Sequence, residues 1–474
     1  MKREGGGADS SFSSAARIVK HLCFSCIATI LILFSSTSHN TWCVVAFDSL
    51  DPNANITIKW DVMTWASDGY IASVTLFNWQ QYRHIELPGW ILSWTWASKE
   101  VIWTMLGAEA MTQGDCSQFH SDTPHSCARN PSIVDLLPGV PYNQQVANCC
   151  RGGVLASFAQ DPANAVAAFQ ITVGRSGNTN TTVKLPKNFA LKTPGPGYTC
   201  GPAVKVAPSL FLTKDGRRHT QAFMTWTVTC TYSQYLAHKA PSCCVSLSTF
   251  YDTKIVPCVE CACACSSTNS SSAAAAASNT RYSDLPSISS SSMGVNNQQQ
   301  PDTLYCTRDM CPVKIHWHVK TNYQQYWRVK ITITNRDFSR NFTQWTLVLQ
   351  HPNFSNFTQA FSFNYKALSP YASFRNDSAV FWGIKYFNDM LMAAGPSGNV
   401  QSELLFQKTK AFKFNNGWAL PHRVYFNGDD CVLPDLQDYP SLPNSGSSCH
   451  LSVHMFRLIL SIISTGASVL IFSS

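Results

Sequence analysis

Three absences set the first limits on this 474-residue chain. No apolar run reaches the roughly 20 residues a membrane-spanning helix needs. Charge is scarce, with Asp, Glu, Lys and Arg together making up 13% of the chain. The basic residues are not clustered, which argues against nucleic acid as a partner. No Gly-x-Ser-x-Gly elbow, no phosphate-binding Gly-x-x-x-x-Gly-Lys loop and no fixed-period repeat occurs. A glycosidase would need two carboxylates at a set separation. Asp61, Asp68, Glu86 and Glu100 stand in stretches with no such layout. The expectation is a protein that is not an enzyme and carries no cofactor.

What is present begins with the ends. Lys2, Arg3, Arg17 and Lys20 lead into a short apolar run, Leu22 to Phe34, and Val44-Val45-Ala46 fits a cleavage site. This predicts a signal peptide over 1–46 and export. At the other end, Asn444-Ser445-Gly446 is followed by a mostly polar spacer and a weak apolar tail, Leu458 to Phe472. That layout predicts a glycosylphosphatidylinositol (GPI) signal over 441–474, with Asn444 bearing the lipid and the tail removed. The lipid would seat the chain in the outer leaflet of the plasma membrane. The net charge of +8 falls to near +5 once the leader (four basic, two acidic residues) and Arg457 are gone.

Export fits the cysteines and the glycosylation acceptors. Of 19 cysteines, Cys23, Cys26, Cys43 and Cys449 leave with the ends and 15 remain, an odd number. In an oxidising compartment they read first as disulfides. The densest group lies in CCVSLSTFYDTKIVPCVECACAC, residues 243–265. Its Cys258-x-x-Cys261 spacing also suits zinc, although a structural site needs two such pairs as thiolates. The adjacent pairs Cys149-Cys150 and Cys243-Cys244 are expected to bond outward to separate partners. Asn-x-Ser/Thr acceptors stand at Asn55, Asn180, Asn269, Asn341, Asn353, Asn356 and Asn376, predicting surface positions.

The body of the chain alternates with period two. Ile56, Ile58, Trp60 and Val62 share one strand face. Val313, Ile315, Trp317 and Val319 do the same, as do Trp327, Val329, Ile331 and Ile333. With frequent Gly, Pro and Asn turns this predicts an all-β fold of two antiparallel sandwiches. A break at Thr193-Pro-Gly-Pro-Gly-Tyr198 places the first at 47–195 and the second, with the cysteine-rich region, at 196–440. A Ser/Ala/Gln-rich stretch, 266–300, is expected to be a disordered loop. His316 and His318 form a His-x-His on the outward strand face, which reads as a solvated basic face. No third ligand is evident, so no metal is expected.

Aromatic residues carry the functional reading. GWILSWTWASKEVIW, residues 89–103, places Trp90, Trp94 and Trp96 on one strand face. That face is either a dry core or a flat platform for sugar, since pyranose CH faces pack on aromatic rings. The area of three indoles favours core. Trp65, Trp79 and Tyr82 share parity or surroundings with polar residues and are the better candidates for exposed, carbohydrate-binding rings.

Several blocks resemble the plant COBRA-like family of GPI-anchored extracellular proteins. They are Cys243-Cys244-Val245-Ser246, NITIKWDVMTW, QQYRHI, QGDCSQF, VDLLPGVPYNQQVANCC, GPGYTCGPA, CPVKIHWHVK, GNVQSELL and YFNGDDC. The resemblance spans nearly all of 47–444 and includes the brittle-culm, secondary-wall branch. It implies a region similar to cellulose-binding modules, then the CCVS region, then the anchor. It further implies action at the outer plasma-membrane face and in the wall, on the orientation, deposition or crystallinity of cellulose microfibrils. The rival expectation is an adhesive surface glycoprotein acting through a protein partner, whose identity is unknown.

Overall fold

The computed structural model describes residues 48, 50–178, 182–212, 215–237, 241–258, 312–338, 340–368, 377–410, 412–413 and 419–442. The expected leader and loop 266–300 lie outside these, as does all of the expected anchor region beyond 442, Asn444 included. So do Asn180, Asn269 and Asn376.

The chain is all-β. Its first part holds β1 (Ile56–Ala66), β2 (Gly69–Asn78), β3 (Ile91–Thr95), β4 (Val101–Leu106), β5 (Ala108–Ala110), β6 (Ser132–Asp135), β7 (Val166–Gly174) and β8 (Lys187–Lys192). It continues through β9 (Tyr198–Cys200), β10 (Val204–Val206), β11 (Leu210–Leu212), β12 (His219–Gln221) and β13 (Met224–Tyr232). A large sheet runs β10-β13-β1-β2-β7-β4, with β9 also on β13, and faces a smaller sheet β5-β6-β3-β8. The expected boundary at 195 therefore falls inside this sandwich. β13 pairs along β1 from Ile56↔Cys230 to Val62↔Met224, so the first domain extends to about 233.

Period-two patterning explains the core. Ile56, Ile58, Trp60 and Val62 are buried, as are Val74 and Leu76 on β2 and Trp226 and Val228 on β13. Trp60 stacks on Trp226 at 5.3 Å and meets Trp94 edge-on at 5.1 Å; Trp94 meets Trp96 edge-on at 5.3 Å. Trp90 lies on Phe169. Each buried indole removes on the order of 200 Å² from water, roughly 5 kcal/mol. The indole N–H groups of Trp60, Trp90, Trp94, Trp96 and Trp226 have no hydrogen-bond acceptor. The face raised by residues 90–96 is a dry core.

The second part holds β14 (Cys243–Thr249), β15 (Asp252–Val256), β16 (Val313–Asn322), β17 (Tyr326–Asn335), β18 (Leu347–Gln350) and β19 (Phe357–Ala360). It ends with β20 (Phe363–Ala367), β21 (Ser378–Gly383), β22 (Asn399–Gln407), β23 (Arg423–Phe426) and β24 (Asp429–Asp430). One sheet runs β15-β14-β16-β17-β22-β19 and the other β20-β21-β18-β23-β24. One pairing departs from the antiparallel expectation: β14 lies parallel to β16, from Cys243↔Val313 to Thr249↔Val319. A parallel pair requires a long connection, and residues 250–312 lie between these strands in sequence.

The disulfides split the expectations. Cys243 bonds Cys431 and Cys244 bonds Cys258, so that adjacent pair does reach separate partners, as side chains alternating on a strand must. Cys149 and Cys150 instead bond to each other. Asn148 and Cys150 there adopt positive φ, and the Asp135 carboxylate accepts from the backbone N–H groups of Cys150, Arg151 and Gly153. This tight loop is not a strand, so the two thiols are not sent to opposite faces. Cys116–Cys127 and Cys200–Cys230 complete the pairs among the described residues. Cys261, Cys263 and Cys265 lie outside them.

Candidate functional site

The outer face of the large first sheet is built from residues of the opposite parity to the core. Thr57 lies beside Phe77 and Thr229, and Lys59 beside Thr75 and Thr227. Trp79 follows β2 and is 42% exposed. Its backbone is fixed by neighbours: Trp79 N donates to Asn55 O, and the buried Asn78 amide donates to Arg83 O and Ala156 O. Phe77 lies 5.7 Å from Trp79 with nearly parallel ring planes, and Phe158 lies 5.3 Å away with its ring tilted by 53°. Cations close both ends. Lys59 Nζ sits 5.5 Å from the Phe77 ring and 5.7 Å from Phe211, and Lys366 Nζ sits 5.9 Å from Phe158. The result is a row of rings among threonine hydroxyls.

Of the sequence candidates, Trp79 alone belongs to this strip. Trp65 does not, because β1 carries an irregularity between Val62 and Thr64. A bulge reverses parity beyond it. Trp65 therefore pairs with Tyr70 and packs on the core rim, its ring edge-on to Tyr70 at 6.2 Å. Tyr82, Trp90, Trp94 and Trp96 are buried and cannot contact a polysaccharide. Phe77 was legible from its parity with Ser73 and Thr75. Phe158 sits in a loop and Lys366 on the second sandwich, and no local pattern marks either.

Tyr82 has a different task. The block QQYRHI is the seam between the sandwiches, which belong to one compact unit. Tyr82 packs with Val348, Val380 and Tyr425. Its hydroxyl donates to Asp48, and its carbonyl accepts from Thr346 Oγ1 at 2.7 Å. Arg83 pairs with Asp48 and donates to Gly428 O at 3.0 Å. Gly428 has φ +87°, and a Cβ there would lie 2.6 Å from Arg83 Cγ. Burial alone would raise the Asp48 carboxyl, but Arg83 and Tyr82 outweigh it and hold it below its ordinary range. Asp51, which accepts from Gln81 N, is pushed up to about 6 by burial, with the Asp48 charge adding to it.

Other expectations resolve locally. All four CCVS residues are buried. Ser246 donates to Val256 O at 2.7 Å and accepts from His316 Nδ1 at 2.9 Å. Ser248 bridges His316 and His318 at 2.9 and 2.7 Å. The expected solvated basic face is therefore a half-buried serine–histidine ladder. Burial first, then Lys314 and His318, bring His316 down to about 4. The acids considered for catalysis are engaged apart: Asp61 accepts from Thr225 Oγ1, Glu100 from Ser98 N, and Glu86 lies in the seam. Asp68 is exposed. Among the acceptor sequons, Asn353 is fully buried and its amide donates to Gln407 O, so it is closed to a glycan in the folded chain. Asn341 is exposed, and Asn55 and Asn356 are half-buried.

Comparison with known proteins places the chain. Residues 70–233 match the COBRA N-terminal domain and residues 242–440 the COBRA family C-terminal domain. The chain belongs to the COBRA family. It is 58% identical to COBRA-like protein 3 of Oryza sativa subsp. japonica, over 88% of this chain and 91% of that one. It is 60% identical to COBRA-like protein 1 of Arabidopsis thaliana, over 86% and 89%. It is 55% identical to Protein COBRA of Arabidopsis thaliana, over 94% and 96%. The two matched regions meet between 233 and 242, where the first sandwich ends. None of these names states an enzymatic activity.

Proposed function

We propose that this COBRA-family chain is a non-catalytic cell-surface protein of the plant cell wall that binds cellulose along the Phe77–Trp79–Phe158 strip. The observation that carries this reading is Trp79, a large exposed ring on a rigid backbone with two further rings at pyranose-like spacing. Threonine hydroxyls beside the rings offer hydrogen bonds to equatorial sugar hydroxyls. A GPI lipid would hold the strip at the outer face of the plasma membrane, where tethering raises its local concentration on emerging glucan chains. Biasing how those chains associate would influence microfibril orientation, deposition or crystallinity, and so directional growth.

The test is pull-down of the secreted full chain on crystalline and amorphous cellulose in high salt. Stacking persists in salt, whereas charge-driven association is screened. Trp79→Ala removes about 2 kcal/mol of ring contact, a loss of about 30-fold in affinity. Unchanged binding by a folded Trp79→Ala protein would sink the strip and favour the adhesive reading with a protein partner.

A further inference from the structure

Two sequence blocks that the strip does not use, QYRHIE and TPGPGY, converge on one cavity of about 490 Å³ in the seam. Thr193 to Pro196 form one wall, Arg340 and Asn341 another. Its polar groups alternate in kind. The Glu86 carboxylate accepts from Asn427 at 2.9 Å and faces Arg340 at 3.7 Å. Asp429 accepts from Ser242 through one oxygen. His84 lines the cavity with a side chain only 4% exposed. Its Nε2 lies 3.2 Å from Glu86, and neither ring nitrogen makes a hydrogen bond. A buried imidazole nitrogen left unpaired costs free energy unless something enters to meet it. The rings of Tyr198 and Tyr232 stand edge-on at 5.4 Å beside these groups.

This lining selects a ligand class. Arg83 is committed to Asp48 and Gly428, so there is no free cation cluster for a phosphate or sulfate. The interleaved donors and acceptors are too polar for an apolar molecule. Alternating hydroxyls over an apolar ring face meet both requirements. We propose that the seam cavity binds one pyranose unit of a glycan, a site separate from the outer strip. Two sources supply that chemistry. Asn341, first residue of an Asn-Phe-Thr acceptor, is exposed on the cavity rim, so its own glycan would stand at the mouth. The alternative is the end of a wall β-glucan.

The experiment uses the full chain purified from plant cells, its Asn341→Gln variant, and calorimetric titration with N,N′-diacetylchitobiose and cellotetraose. Mass spectrometry reads occupancy at Asn341. If the source is the chain's own glycan, Asn341 is occupied and neither probe shows binding to the parent protein that survives Trp79→Ala. Asn341→Gln then gains chitobiose binding. If the source is the wall, the parent protein binds cellotetraose directly and Trp79→Ala keeps that binding. In either case Glu86→Gln and His84→Phe each weaken the binding by about tenfold or more. His84→Phe keeps the ring volume and serves if Glu86→Gln fails to fold. Absence of binding by both the parent and Asn341→Gln overturns the proposal. So does binding that survives both seam substitutions, or that Trp79→Ala abolishes. The two sites fail separately, because Trp79→Ala removes cellulose pull-down while leaving probe binding in the seam.

Discussion

The two sandwiches share a layout but are fastened differently. The first is closed by indoles, with Trp94, Trp96 and Trp226 all packed on Trp60, and by short-range disulfides, 1, 11 and 30 residues apart. The second mixes Trp317, Trp327 and Trp345 with Phe354, Phe381 and Phe406, and Cys243–Cys431 ties its first strand to its end across 188 residues. Side-chain packing holds the first sandwich, and its large sheet keeps an outer face on which rings can stand. In the second, β14 reaches its place only by a long crossover, and a covalent link fixes it there. The CCVS block is thus a structural clasp, one cysteine for each side of the strand.

Breaking the clasp has the largest expected effect. On the chain-entropy account, closing 188 residues is worth about 5 kcal/mol, and closing the 11 between Cys116 and Cys127 about 3. Replacing Cys243 and Cys431 together by Ala should lower the chemical-denaturation midpoint more than replacing Cys116 and Cys127. Equal losses would show that β14 does not depend on its clasp. The next effect sharpens the contrast within the first sandwich. Trp94→Ala opens a core cavity and costs about 3–5 kcal/mol, whereas Trp79→Ala should change the melting temperature little while reducing cellulose binding. A Trp79→Ala protein as unstable as Trp94→Ala would return that ring to the core.

These contrasts also explain what the sequence made legible. Strict alternation in 56–62, 313–319 and 327–333 identified the strands and their buried faces, because period two is a local property. Parity failed at Trp65, where one extra residue in β1 reverses the face without leaving any mark in composition. Tyr82 failed for another reason: its polar neighbours Gln80, Gln81 and Arg83 are themselves buried or half-buried, Arg83 against the second sandwich, and a polar stretch at a domain seam looks like a surface. The vicinal pair Cys149-Cys150 looks like Cys243-Cys244, and only the backbone distinguishes a loop from a strand. The strip was half visible, since Phe77 and Trp79 are two residues apart in sequence while Phe158 and Lys366 reach them only through folding.

The last prediction sets the sandwiches against each other in pH. Asp51 in the first has its carboxyl raised from 3.8 to about 6, so the folded state favours its neutral form. That contribution is full below about pH 4 and is lost as pH rises through 6, on the order of 3 kcal/mol at most. His316 in the second is lowered from 6.5 to about 4, so folding favours the neutral imidazole. Its contribution is full above 6.5 and is lost as pH falls toward 4. Between pH 4 and 6.5 the two slopes oppose and partly cancel in the parent protein. Substitution should expose each one. The melting temperature of Asp51→Asn, taken relative to the parent, should climb with pH across this interval, and that of His316→Gln should fall. Carboxylates remote from Asp51 act alike in parent and variant and drop out of the difference, and Asp48, coupled to Asp51 but held below its ordinary range, stays ionised across this interval. Difference curves flat from pH 4 to 6.5 would mean that neither buried group is coupled to folding.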